Sequence, residues 1–307
     1  MKPEHEILFS PLVMPNLTLK NRFFMAPMGT FFSSIEQQTD YFVERAKNDV
    51  GLIVTGATSV HPGGGFGELK LERDEDIEPF VPMVKSVQQA GAKFVCQLNH
   101  AGRYAPSHKI GMQPVAPSPI ASMLTQETPR ELSTQEIDDL VIAFTDAALR
   151  AQKAGFDGIE ILANTGYLHS QFLSPVTNKR KDKYGGDMLG RAAFLLSVVS
   201  EIRSGVGDDF NISVKMDYED GLEGGFRIDD TLLIAPKIVE AGADRLHIWA
   251  GWHEAFRPML TMAVPRGAFA KYAGIIKDAV NFPVATVGRI NDPSVAADIL
   301  SKGQADL

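Results

Sequence analysis

Hydrophobic positions along this chain follow two alternating rhythms. Short, nearly unbroken apolar runs rich in Val, Ile, Phe and Leu occupy residues 22–27, 52–57, 94–98, 158–163, 212–216, 245–250 and 284–289. Runs of that length predict strands buried on both faces, as in a parallel sheet. The stretches between them carry apolar residues three and four positions apart, for instance Ile137, Leu140, Val141 and Phe144, which predicts amphipathic helices. Ser133 stands three residues before Glu136, so hydroxyl and carboxylate can each cap the other's backbone amide and start a helix there. Asp292 followed by Pro293 marks another start.

A repeated junction sets the order of these elements. Ala90-Gly91-Ala92-Lys93, Ala154-Gly155-Phe156-Asp157, Ala241-Gly242-Ala243-Asp244 and Lys302-Gly303-Gln304-Ala305-Asp306 each close a helical pattern and open an apolar run. Glycine there supplies the left-handed residue that ends a helix, and the chain re-enters a strand within a few residues. Strands alternating with helices in this way predict a (β/α)8 TIM barrel rather than an open doubly wound sheet. Ala305-Asp306-Leu307 reads as the opening of strand eight, so the eighth βα unit is expected to be cut off. The prefix from Leu8 to Lys20, with Pro11, Pro15 and the alternating Leu17-Thr18-Leu19, predicts a hairpin across the barrel's N-terminal mouth. No linker or internal boundary interrupts the pattern, so residues 1–307 read as one domain.

Composition narrows the functional classes. With 307 residues, 44% hydrophobic and 22% charged, the chain can bury a large core. A net charge of −8 and a pI near 5.4 leave no basic stripe for a phosphate backbone, so no nucleic acid is expected. The first residues lack the basic start and apolar run of a signal peptide, and no segment approaches the roughly 18 apolar residues of a membrane span. A cytoplasmic protein with no membrane association is the expectation. Cys96 is the only cysteine and sits in an apolar run, where it reads as a small buried hydrophobe. Disulfides, zinc-thiolate sites and iron–sulfur clusters cannot be built from these residues alone.

In a barrel of this kind the reacting groups stand at the C-terminal ends of the strands. There the sequence places Ala26-Pro27-Met28-Gly29-Thr30, Gly56-Ala57, Gln97 through Arg103, Asn164-Thr165-Gly166-Tyr167, Lys215, Gly251-Trp252-His253-Glu254 and Gly288-Arg289. Lys215 stands out, because a lysine inside a barrel strand must find an anion or lose its charge. An interior ion pair with Glu160, a Schiff-base role, or a cation set against an electron-rich cofactor edge are all open. Gly288 and Arg289 follow strand seven, where barrels commonly hold a phosphate with backbone amides and a guanidinium fork. The run Gly63-Gly64-Gly65-Phe66-Gly67 lacks the G-x-G-x-x-G spacing into a helix and reads as a flexible loop. No P-loop appears, and the histidines lack metal-binding spacing such as H-E-x-x-H, so no metal site is expected.

Several of these motifs together resemble one family over essentially the whole chain. Leu19-Lys20-Asn21-Arg22 leading to Ala26-Pro27-Met28, then Gln97 to Arg103, Gly166-Tyr167-Leu168-His169-Ser170-Gln171-Phe172-Leu173-Ser174-Pro175, and Asn178 to Gly186 resemble the Old Yellow Enzyme class of NADH:flavin oxidoreductases. Gly251-Trp252-His253-Glu254-Ala255, Val264-Pro265-Arg266-Gly267-Ala268-Phe269 and Arg289-Ile290-Asn291-Asp292-Pro293 look most like its bacterial 2,4-dienoyl-CoA reductase branch. Leu162 and Thr165 stand where many members carry a His and a second His or Asn that hold the substrate carbonyl. The dienoyl-CoA branch also lacks that pair.

The resemblance implies an FMN enzyme that passes hydride from the reduced flavin to an activated C=C bond of an enoyl or dienoyl substrate. It implies that Ala26, Pro27, Met28 and Ala57 line the flavin ring, Gln97 bonds its pyrimidine edge, Lys215 faces N1 and the C2 carbonyl, and Gly288 and Arg289 take the phosphate. Gly29 occupies a place often held by threonine or cysteine that tunes the flavin. Tyr167 becomes the proton donor and His253 the group that steadies the substrate oxygen. A reductase of steroid or bile-acid enones or of 2-enoates, and a trimethylamine-dehydrogenase-like amine oxidase, remain as alternatives. The resemblance further implies a longer protein carrying a [4Fe-4S] cluster, FAD and NAD(P)H. It leaves NADH versus NADPH and a homo-oligomer open.

Overall fold

The computed structural model describes residues 2–32, 34–65, 69–256 and 261–307. A hairpin of β1 (Leu12–Met14) and β2 (Leu17–Leu19) leads into β3 (Phe24–Met25), α1 (Ile35–Lys47), β4 (Leu52–Ser59), α2 (Phe80–Gln89) and β5 (Lys93–Asn99). An excursion holding α3 (Ser107–Ile110), β6 (Val115–Ala116) and β7 (Arg130–Glu131) precedes α4 (Thr134–Ala154) and β8 (Gly158–Ala163). Then come α5 (Leu168–Leu173), α6 (Met188–Val206), β9 (Asn211–Asp217), α7 (Ile228–Glu240), β10 (Arg245–Trp249), α8 (Ala270–Val280), β11 (Val284–Thr286) and α9 (Pro293–Ser301).

β3, β4, β5, β8, β9, β10 and β11 form one seven-stranded parallel sheet in which each strand lies beside the next. With no crossover, and with helices on its outer face, the sheet curls into an α/β TIM-barrel-like fold. Asp306 N donates to Val284 O at 2.8 Å and Thr286 N to Leu307 O at 3.1 Å, so the last residues run beside β11 as a further strand would.

Local chemistry accounts for the elements. Ser133 Oγ accepts from Glu136 N while Glu136 accepts from Ser133 N, and Asp292 caps α9 through Ser294 N. Gly91, Gly155, Gly242 and Gly303 all sit at positive φ where a helix gives way to the next run, as the junction pattern requires. Ile137, Phe144, Ile159, Ile161, Ile212 and Leu246 are among the fully buried residues of the main core between sheet and helices. The hairpin closes the opposite end: Leu12, Met14, Leu17 and Leu19 pack with Leu52, Val54, Val95 and Ala285. Cys96 is buried, and burial pushes its thiol up to about 12, so it behaves as the small hydrophobe expected.

Two strands are shorter than expected. The first pairs only over Phe24–Met25, with β4 alone, because Pro27 has no N–H to continue the ladder. The seventh ends at Thr286, because Gly288 and Arg289 both take positive φ and turn the chain out of the sheet. Of the glycine-rich run, Gly64 N donates to His61 O in a turn, while Phe66 and Gly67 lie outside the described residues. Among the described residues no helix is long and apolar enough to cross a membrane, and no cluster of His, Cys, Asp or Glu could hold a metal.

Candidate active site

A β-bulge sets the first part of the site. The β4–β5 register shifts between Val54 and Ala57, and Thr55 Oγ1 accepts from Gln97 N at 2.9 Å. The extra residue rotates the strand so that Ala57 falls opposite Gln97, which in turn lies opposite Glu160 on β8. A Cβ on Gly56 would stand 2.8 Å from Met28 O, so only glycine lets the loop after β3 cross this close to Ala57. Pro27 is half-buried there, whereas Met28 and Gly29 are exposed.

Glu160 organises the barrel interior. Its Oε1 accepts from Gln97 Nε2 at 2.9 Å, and its Oε2 meets His247 Nδ1 at 3.0 Å and Arg245 Nη2 at 3.4 Å. Burial opposes its charge, but His247, Arg245 and Lys215 together hold the carboxyl down to about 2. A carboxylate only accepts, so His247 carries its proton on Nδ1. Burial lowers that imidazole to about 4, so at neutral pH Arg245 is the full counter-charge. The bond from Gln97 fixes its amide: Nε2 faces Glu160, and Oε1 accepts from none of the described residues.

Lys215 does not pair directly with Glu160, the arrangement the sequence had left open. The carboxylate is already met by Arg245 and His247, and the ammonium lies 5.0 Å from the centre of the Trp249 ring. Burial lowers the lysine's pKa while Glu160 and Asp217 hold it up. Its Nζ makes no hydrogen bond to a described residue, an expensive state for a buried cation unless another acceptor completes it.

Two loops bring the proton-bearing groups together. After β8 the chain takes positive φ at Thr165 and Gly166 in succession. Asp217 Oδ2 accepts from Thr165 N at 2.8 Å, Ser170 Oγ from Gly166 N at 2.9 Å, and Gln171 Nε2 donates to Gly166 O at 2.6 Å. This strained turn fixes Tyr167 at the head of α5. The loop after β10 approaches from the other side, where His253 N donates to Thr165 O at 3.4 Å. The Tyr167 and His253 rings meet edge-on with centroids 5.7 Å apart, and Tyr104 closes the triangle at 5.9 Å from each. Neither the Tyr167 phenol nor the His253 ring nitrogens bond to a described residue. Burial raises the Tyr167 phenol, so it stays protonated through neutral pH. Partial burial lowers His253 and the neighbouring Glu254 pulls it back up.

The remaining candidates line a cavity of about 550 Å³ along the seam between β3 and β11, which includes Ala26, Thr286, Gly288 and Arg289. The backbone N–H groups of Gly288 and Arg289 donate to none of the described residues, and the buried Thr286 Oγ1 has no partner among them. Arg289 is partly engaged, since Nη1 donates to the carbonyls of Met262 and Val264. Sequence reasoning passed over Arg245, His247 and Asp217. The period-two alternation of β9 and β10 puts Asp217 on the face of Lys215 and His247 on that of Arg245, a signal available once register was known.

The family model described as NADH:flavin oxidoreductase / NADH oxidase family matches residues 7–307. Among curated relatives, the "Metal reductase" of Desulforamulus reducens is 43% identical over 98% of this chain and 46% of its own length. The "NADPH dehydrogenase" of Bacillus subtilis is 35% identical over 98% of this chain and 88% of its own. Among solved structures, a 2-naphthoyl-CoA reductase complexed with 2-naphthoyl-CoA aligns with a TM-score of 0.94 and 29% identity, over 99% of this chain and 49% of that one. The chain thus spans about half the length of the Desulforamulus protein and of the naphthoyl-CoA reductase.

Proposed function

Because the chain belongs to the NADH:flavin oxidoreductase / NADH oxidase family, we propose that it is the FMN-binding barrel of an ene-reductase that adds hydride and a proton across the activated C=C bond of an acyl thioester, of the 2,4-dienoyl-CoA kind. The family implies FMN, and when bound the flavin supplies the hydride from its reduced N5. Several groups favour a fit to that cofactor: Lys215 Nζ, set against the Trp249 ring, Gln97 Oε1, the buried Thr286 Oγ1 and the amides of Gly288 and Arg289 make no hydrogen bond to a described residue. In this reading Lys215 meets the anionic edge of the reduced ring, Gln97 its pyrimidine edge, and Gly288 with Arg289 the phosphate. Ala26, Pro27, Met28 and Ala57 bound the ring, and Gly29 stands beside them.

The observation that carries the reading is the edge-on pair of Tyr167 and His253, two proton-bearing groups held by separate loops and bonded to no acceptor among the described residues. His253 donates a hydrogen bond to the carbonyl oxygen as negative charge builds on it, an interaction worth about 3–4 kcal/mol when well placed. Tyr167, kept protonated by burial, delivers the proton to carbon. The thioester class draws support from the likeness to 2-naphthoyl-CoA reductase. Residues 1–307 are then one FMN domain of a longer protein whose remainder carries the [4Fe-4S] cluster, FAD and NAD(P)H site.

The test is an absorption spectrum of the purified protein followed by anaerobic titration of the reduced form. A dienoyl-CoA should reoxidise the flavin faster than a 4-en-3-one steroid or a free 2-enoate. Faster reoxidation by the steroid or the enoate moves the assignment to that substrate, and reduction of the flavin by trimethylamine moves it to amine oxidation. Lys215→Ala should weaken FMN binding by on the order of tenfold to a hundredfold, the worth of one charge-assisted hydrogen bond. An unchanged Kd together with an unchanged midpoint potential would remove Lys215 from the cofactor's edge.

A further inference from the structure

Glu254 follows His253 in the chain, yet its side chain turns away from solvent and is only 3% exposed. Donors from two other segments converge on its carboxylate. Oε2 accepts from Arg103 Nη2 and, at 3.1 Å, from Tyr104 Oη; Oε1 accepts from Met123 N at 2.6 Å and Ser122 Oγ at 3.3 Å. Arg103 is itself 4% exposed and donates through Nη1 to Ala121 O at 3.0 Å. The pair thereby ties three stretches of chain at one point: the loop after β10, the turn after β5, and residues 120–123.

We propose that Glu254, locked by Arg103, is the positioning residue that holds His253 against Tyr167. The inference rests on the reading of His253 as the group that bonds the substrate oxygen. The loop carrying His253 is anchored on its other side by Trp252, which is 1% exposed and bonds Asp217 through its side chain, so Glu254 and Trp252 flank the histidine. The loop's backbone is tied by Gly251 N to Glu219 O, Trp252 N to Asp220 O, and the long 3.4 Å bond from His253 N to Thr165 O. None of these fixes the imidazole itself, which meets Tyr167 edge-on and Tyr104 at a tilt. Glu254 fixes the chain one residue beyond His253 and also draws Tyr104 into the triangle, so one carboxylate helps orient two of its three rings. Its charge has a second effect. Among the described residues the ionisable groups around His253 are Tyr104, Tyr167 and Glu254, with Arg103 behind Glu254; the carboxylate favours the protonated imidazole and so opposes the effect of burial.

The experiment uses the FMN-loaded protein with isotope-labelled histidine, in wild type, Glu254→Gln and Glu254→Asp. In Glu254→Gln the NMR titration midpoint of His253 should move to lower pH. Reoxidation of the reduced flavin by the preferred enone should slow by about 10- to 100-fold, the usual effect of a small misplacement, with FMN content unchanged. Glu254→Asp keeps the charge on a shorter arm, so it should restore the midpoint while kcat stays low. A His253 midpoint and pH–rate limb in Glu254→Gln equal to wild type would overturn the proposal. If the Gln variant does not fold, the Asp variant decides, and a wild-type kcat there overturns it. The NMR midpoint is read without any enone, so failure of the substrate assignment is separable from failure of the clamp.

Discussion

Tyr167→Phe is expected to slow hydride acceptance by the enone by about 10²- to 10⁴-fold, the usual worth of a positioned proton donor, while FMN content and the rate of flavin reduction stay at wild type. The substitution isolates the hydroxyl. Phenylalanine keeps the ring that packs edge-on against Tyr104 and His253, and the native phenol bonds to no described residue, so the turn at Thr165 and Gly166 loses nothing. Burial keeps the phenol protonated, so the wild-type rate should not fall until pH exceeds tyrosine's ordinary range. Stopped-flow measurement of both half-reactions decides the matter. An oxidative half-reaction as fast as wild type would leave Tyr167 a packing residue only.

The second large effect is on stability. Glu160→Ala should cost about 3–5 kcal/mol, because breaking a buried pair from one side leaves the other charge uncompensated. Arg245 would be that charge; among the described residues its Nε and Nη1 already lack partners, and His247 would lose its one acceptor as well. Glu160→Gln should cost less, since the amide can still meet Gln97 and Arg245. The same network sets the acid limit. Glu160 sits at about 2 when folded against 4.5 for the ordinary group, so its contribution is complete above pH 4.5 and fades as pH falls toward 2. His247 at about 4, and His100 and His169 at about 3, are bases lowered by burial from 6.5; the unfolded chain binds their protons first, so stability begins to fall as pH drops below 6.5. Burial raises the carboxyls of Asp217, Asp220 and Asp244, which works in the opposite sense as pH falls, so the histidines are best followed directly: by NMR the His247, His100 and His169 rings should stay neutral in the folded protein down to about pH 5. Protonation of these rings near pH 6.5 would contradict their neutral, buried state.

Much of the fold was legible because local signals agree with the global one. The capping box at Ser133, the glycines at the junctions and the apolar runs each specify an element without long-range information. The hairpin was legible for the same reason, since Leu17-Thr18-Leu19 alternates buried and exposed. Strand ends were not, because they depend on neighbours: Arg289 turns out of the sheet to donate to Met262 and Val264, a bond no short-range pattern announces. The candidate site divides similarly. Tyr167, His253, Lys215 and Gln97 were singled out by motif and by the cost of a buried charge. The partners of Glu160 were not, because choosing Arg245 over Lys215 requires the registers of β8, β9 and β10. Arg103 and Glu254 are 151 residues apart, and only the curl of the whole sheet brings them together.

The turn beneath Tyr167 has a bearing on how such sequences can drift. A methyl group on Gly166 would stand 2.2 Å from the Tyr104 hydroxyl, and the residue's φ of +91° is unfavourable for any side chain. Positions 104 and 166 are therefore one evolutionary character: a lineage that enlarges the second must first shrink the first, and in doing so gives up a donor to Glu254.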